Sequence, residues 1–171
     1  TNLLMVVSMI IIGGITRLTD SGLSMTEWNL ISGIIPPMNH IDWLDVFGKY
    51  QKSPEYLIKN YNMSLVEFKK IFFWEYFHRI WGRLIGLIFI LPLIIFWLSD
   101  FFSSSEKKFF LILTFLGSFQ GFMGYFMVES GLIDKPDVSH FRLSTHLVIA
   151  FAIYSMLLYF FWNLIKRKNT N

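Results

Sequence analysis

The sequence predicts an all-α protein: a transmembrane four-helix bundle with a long outer loop containing short helices. Three observations carry this reading. Of the 171 residues, 54% are hydrophobic and 19% aromatic, too apolar a chain for a domain that must solvate its whole surface. Three apolar runs come close to the roughly 20 residues a helix needs to cross a hydrocarbon core of about 30 Å, and a fourth falls short. Between the first two runs lies a polar stretch, residues 17–79, in which acids and bases balance and which carries its own helix-start signal. The chain reads as a single membrane domain, residues 1–171, with spans near 1–15, 80–98, 109–128 and 143–165.

The first run, Leu3 to Ile15, is apolar but short, and the sequence opens on Thr1 rather than Met, so it reads as a span whose beginning is missing. A signal peptide would need a basic leading region and a small-residue cleavage site, which Thr16, Arg17 and Leu18 do not supply. In the outer loop, Ser64 and Glu67 form a capping box, with Met63 and Phe68 placed as a hydrophobic staple, so a helix is expected to start there and run into the second span. That span, Ile80 to Leu98, contains Pro92, a possible kink that neighbouring helices can accommodate. The third runs from Phe109 to Val128 and the fourth from Leu143 to Ile165. Lys107 and Lys108 precede the third span and Lys166, Arg167 and Lys168 follow the fourth, so both termini are expected on the cytoplasmic side. A weak internal echo links Asp20-Ser21-Gly22-Leu23 after the first span to Glu129-Ser130-Gly131-Leu132 after the third, a hint of duplicated helix hairpins.

Composition also excludes chemistry. A net charge of +3 with scattered basic residues gives no nucleic-acid stripe. The absence of cysteine removes disulfides, thiolate metal sites and thiol catalysis together.

Two of the four histidines occupy equivalent places, His78 at the outer mouth of the second span and His146 in the first turns of the fourth. Those spans run in the same direction, so the imidazoles lie at similar depth. If the helices face each other, both rings can reach one iron from opposite sides, as in a bis-histidine heme. The plainer alternative is a pair of interface histidines, each hydrogen-bonded to a neighbour. Gly82 and Gly86 continue the stripe of His78, Ala150 follows His146, and Gly117, Gly121 and Gly124 share a face of the third span. Such small residues make room for a flat cofactor or for close helix packing. Glu75 shares the helix face of His78 and is a candidate catalytic acid or base; the alternative is a surface carboxylate paired with Arg79, worth roughly 0.3–0.5 kcal/mol. Arg79 and Arg83 are candidates to receive heme propionates, or else snorkel to the interface. Glu75-x-x-His78 is also a di-iron spacing, but no second copy accompanies it. His40 and His140 read as surface loop residues.

Beyond these features, the run from Gly13-Gly14-Ile15-Thr16-Arg17-Leu18-Thr19-Asp20-Ser21-Gly22-Leu23 through Trp28 resembles the heme A synthase family. So do Gly33 before Pro36-Pro37, then Pro54-Glu55-Tyr56, Glu75-x-x-His78-Arg79-x-x-Gly82-Arg83-x-x-Gly86, Gln120-Gly121-x-x-Gly124 and Val138-Ser139-His140-x-Arg142-Leu143-x-x-His146. The resemblance covers residues 13 to 162, the N-terminal four-helix half of that family, in its cysteine-free class. It implies oxidation of a methyl group of heme O to the formyl group of heme A. His78 and His146 match the family's first histidine pair, thought to present the substrate heme, and Glu75 matches its functional loop glutamate. A heme b cofactor is expected in the missing second half, without which this polypeptide is expected to bind heme but not to complete the oxidation. Expected partners are membrane lipid, heme O, a second four-helix half, heme O synthase, another copy of the chain or cytochrome oxidase assembly factors, in a bacterial inner membrane. The competing functions are a bis-histidine electron carrier of cytochrome b type and a heme-binding or packing subunit.

Overall fold

The computed structural model describes residues 1–28, 32–133 and 136–170, and apart from a single 3-10 turn its regular elements are α-helices. They are α1 (Asn2–Leu18), α2 (His40–Tyr50), α3 (Pro54–Ile58), α4 (Leu65–Leu98), α5 (Ser104–Gly131) and α6 (His140–Thr170). Helices α4, α5 and α6 are each long and apolar enough to cross a membrane, while α1 is apolar but shorter at 17 residues, about 25 Å.

Local chemistry sets the boundaries. Helix α1 runs past the apolar segment to Leu18 and closes where Asp20 takes a φ of 47° and the Ser21 N–H donates to the Thr16 carbonyl at 3.0 Å. This is a left-handed C-terminal cap with aspartate where glycine is usual, an exception short polar side chains tolerate. Helix α4 begins at the expected capping box, with Ser64 as N-cap and both reciprocal bonds to Glu67 formed. It continues unbroken through Pro92 for 34 residues, about 50 Å, so its N-terminal turns stand well clear of a 30 Å hydrocarbon core.

Helix α1 packs against both α4 and α6, and α5 also packs against both, which places α4 and α6 on a diagonal of the bundle. The Trp81 indole N–H donates to the Met5 carbonyl at 3.1 Å across the α1–α4 seam. Phe109 and Phe110 of α5 pack on Phe160 of α6 with ring centroids 5.4 and 5.0 Å apart. Outside the seams the bundle presents apolar side chains, among them Leu87, Leu91 and Ile95 of α4, Phe115 and Phe122 of α5, and Val148 and Phe151 of α6. Such a surface is stable against lipid and not against water.

The outer loop folds into a cap on the projecting part of α4. Phe47 and Tyr50 of α2 bury against Phe68 and Phe72 of α4, the Tyr50 and Phe68 rings stacked at 4.9 Å. Met63 joins this cluster as the staple predicts. Lys59 ties the cap to the second outer loop, donating to the Pro136 carbonyl at 2.8 Å and the Asp137 carboxylate at 2.9 Å.

Candidate functional site

The diagonal of the bundle carries the two histidines. His78, on α4, seats its ring against Gly13 of α1, where an added Cβ would lie 3.3 Å from Nε2. His146, on α6, seats its ring against Gly124 of α5, where an added Cβ would lie 3.5 Å from Cε1. Each imidazole thus rests on a glycine of a neighbouring helix; a Cβ at Gly13 would press the His78 ring by a few tenths of an ångström, whereas one at Gly124 would make ordinary van der Waals contact with His146. The two rings are within electrostatic reach of each other. Nδ1 of His146 is buried with no hydrogen-bond partner. Gly86, Gly117 and Gly121 have open space where a Cβ would stand, whereas Gly82 receives Met9 of α1.

Two imidazoles from opposite helices are the donor set that axial ligation of a porphyrin requires, since the macrocycle brings its other donors with it. Among the described residues no three His, Asp or Glu side chains gather as a protein-only metal site would need. Two cavities lie elsewhere. One of about 200 Å³ sits between Glu106, Phe109, Tyr159 and Arg167, and one of about 550 Å³ lies on the cap beside Asn60 and Lys70.

Glu75 is held through both of its carboxylate oxygens. Its Oε2 accepts from the Ser24 hydroxyl and from the Met25 N–H, both at 2.7 Å, and its Oε1 pairs with Arg79. Arg79 in turn donates to the Met25 carbonyl at 3.0 Å and the Glu27 carbonyl at 2.9 Å, and its guanidinium lies over the Trp28 ring at 4.6 Å. The pair is therefore not the surface carboxylate and arginine that the i,i+4 spacing alone allows; both side chains are almost fully buried. What buries them is the segment after α1, drawn across α4 as a strap. Its Leu23 lies against Gly131 at the end of α5 and its Trp28 packs edge-on against Tyr125 at 5.6 Å.

The structure thus brings Glu75, His78 and Arg79 together on successive turns of α4, and sets Arg83 one turn further along, half-buried. Arg79 gives two hydrogen bonds to the strap and one to Glu75, and its buried Nε lacks a partner. His40 and His140 are exposed and open α2 and α6. No local pattern singled out Ser24, which supplies a bond to Glu75, or the pair Glu55 and Tyr50, hydrogen-bonded inside the cap. The motif Pro54-Glu55-Tyr56 pointed at the second of these, but nothing in the spacing showed that the carboxylate would be buried.

The family described as cytochrome oxidase assembly protein, COX15-CtaA, matches residues 1–171. The chain is 52% identical over 154 residues to a protein of Rhodospirillum centenum named heme A synthase, a match covering 90% of this chain and 41% of that one. It is 51% identical over 156 residues to the heme A synthase of Rickettsia bellii, covering 91% and 46% of the two chains. With that of Flavobacterium psychrophilum it shares 49% identity over 153 residues, covering 88% and 45%. The chain spans about half the length of these curated relatives. No solved structure matches it at a significant level.

Proposed function

Because the chain belongs to the COX15-CtaA family of cytochrome oxidase assembly proteins, we propose that it forms the substrate-holding half of a heme A synthase, in which a methyl group of heme O is oxidised to the formyl group of heme A. One observation supports this above the others: His78 and His146 come from diagonal helices and lie within electrostatic reach, each seated on a glycine. Heme O, as substrate, supplies the iron and the carbon that loses electrons; the rest of the work falls to the chain. The two histidines would hold the iron and so position the macrocycle within the bundle. Arg83, together with the unpartnered Nε–H of Arg79, receives the propionates. Glu75 sets a negative charge one turn from His78. Both of its oxygens are already hydrogen-bonded, which suits it to stabilising positive charge or passing a proton rather than ligating metal. Lipid and the aromatic cap keep water from the site. The second half of the enzyme holds heme b, and the whole works in a bacterial inner membrane with both termini of this chain on the cytoplasmic side.

The test supplies heme O to cells making the full chain, alone and together with the remaining half of the Rickettsia bellii relative, and identifies the extracted hemes by mass. Heme O is expected to copurify with the chain alone, and hydroxylated and formyl hemes to appear when the second half is present. Both outcomes are expected to vanish in His78→Ala and in His146→Ala. Full heme retention in those variants, or reversible reduction with the porphyrin left unchanged, contradicts the proposal.

A further inference from the structure

A second buried carboxylate lies in the cap. Glu55, near the start of α3, is only 3% exposed, and its Oε2 accepts one hydrogen bond at 3.0 Å, from the phenol of Tyr50, which is wholly buried. That phenol is oriented by the Asn60 amide, which donates to it at 2.8 Å. Asn60 lines the open cavity of about 550 Å³ on the cap, so the chain of contacts from Asn60 through Tyr50 to Glu55 leads inward from a place water can reach. The charged groups that face Glu55 are Glu75 from α4, Asp20 from the turn after α1, and Lys59 from the end of α3. Lys59 is the single cation of the three, and it is already paired with Asp137. A carboxylate with one neutral donor, two acidic neighbours and a cation engaged elsewhere is poorly placed to stay charged.

We propose that Glu55 is a positioning residue that holds a proton beside the Glu75–Arg79 pair, and that its ionisation sets the charge felt at the histidine site. This rests on the reading of Glu75 given above. Burial, the largest cause, pushes the Glu55 carboxyl up to about 7; the Tyr50 hydrogen bond lowers it and the Glu75 charge raises it. When Glu55 loses its proton to water at the Asn60 cavity, a second negative charge stands near Glu75, so the electrostatic field along α4 changes around neutral pH.

The experiment follows the carbonyl stretch of protonated carboxylic acids by infrared difference spectroscopy on the full chain in detergent, titrated from pH 4 to 9. This requires no heme, so it fails or succeeds independently of heme binding. The expected result is an acid band that disappears with a midpoint near 7 and is missing from Glu55→Gln. Tyr50→Phe, which removes the donor, is expected to move the midpoint up. Glu75→Gln, which removes the like charge, is expected to move it down, and a structural role alone would move neither. In the heme-loaded protein the optical spectrum is expected to change with the same midpoint, and Glu55→Gln to abolish that change. An acid band that titrates only in the ordinary carboxylate range, one that survives in Glu55→Gln, or a midpoint indifferent to both neighbours overturns the proposal.

Discussion

Glu75 and Arg79 share an interior closed to water, and a charge there is tolerated only while its partner remains. Arg79→Met leaves Glu75 with the Ser24 and Met25 bonds but no counter-charge, and removing one member of a buried pair typically costs about 3–5 kcal/mol. Thermal unfolding in detergent is expected to show that loss, and the double variant Glu75→Gln, Arg79→Met to recover part of it. The pair itself was legible from its i,i+4 spacing, but its burial was not. The covering strap, Ser24 to Glu27, lies about fifty residues away in sequence, and no local pattern records which distant segment will close over a helix face. Glu55 adds a pH dependence of definite sign. Its carboxyl is raised from the ordinary 4.5 to about 7, so the folded cap binds the proton more tightly than the unfolded chain does. The stabilisation is complete below about 4.5 and is lost as pH rises through 7, amounting to about 3 kcal/mol across that window. Melting followed by aromatic circular dichroism is expected to show the cap weakening from pH 5 to 8, and Glu55→Gln to flatten the profile.

Among the elements, the helices exceed the apolar runs in a consistent way. Hydropathy marks where lipid begins and ends, whereas a helix ends where its terminal N–H and C=O groups find partners. Helix α4 therefore starts at the Ser64 capping box, well before Ile80, and α1 ends at the Asp20 turn, after Ile15. The capping box was visible because all its parts lie within four residues; the left-handed turn at Asp20 was not, because aspartate adopts it only by exception. The two segments of the weak echo, Asp20-Ser21-Gly22-Leu23 and Glu129-Ser130-Gly131-Leu132, touch through Leu23 and Gly131. A Cβ on Gly131 would fall 2.7 Å from the Leu23 Cδ2 atom, inside any tolerable contact. Gly131→Ala must displace Leu23, a buried side chain at the base of the strap, and overpacking of this kind costs about 1–3 kcal/mol. Limited proteolysis of the strap is expected to accelerate in Gly131→Ala, while Gly48→Ala, at a position with open space, leaves it unchanged.

At the scale of the whole molecule, the packing order of the helices decides what the histidines can do. The sequence led to an expectation of matched depth because both histidines sit near the ends of spans read as parallel. Diagonal placement was not readable there, since periodicity says which face of a helix is apolar and not which helix it meets. With α1 and α5 each bridging α4 and α6, His78 and His146 sit on helices that face each other across the bundle. A chain that covers about half the length of its relatives thus still contains a complete pair of candidate axial ligands. The most direct test is low-temperature electron paramagnetic resonance of the ferric, heme-loaded full chain. The account predicts a low-spin signal of bis-imidazole type that changes to high spin, or disappears with the heme, in both His78→Ala and His146→Ala. A low-spin signal that persists unchanged in either variant contradicts it.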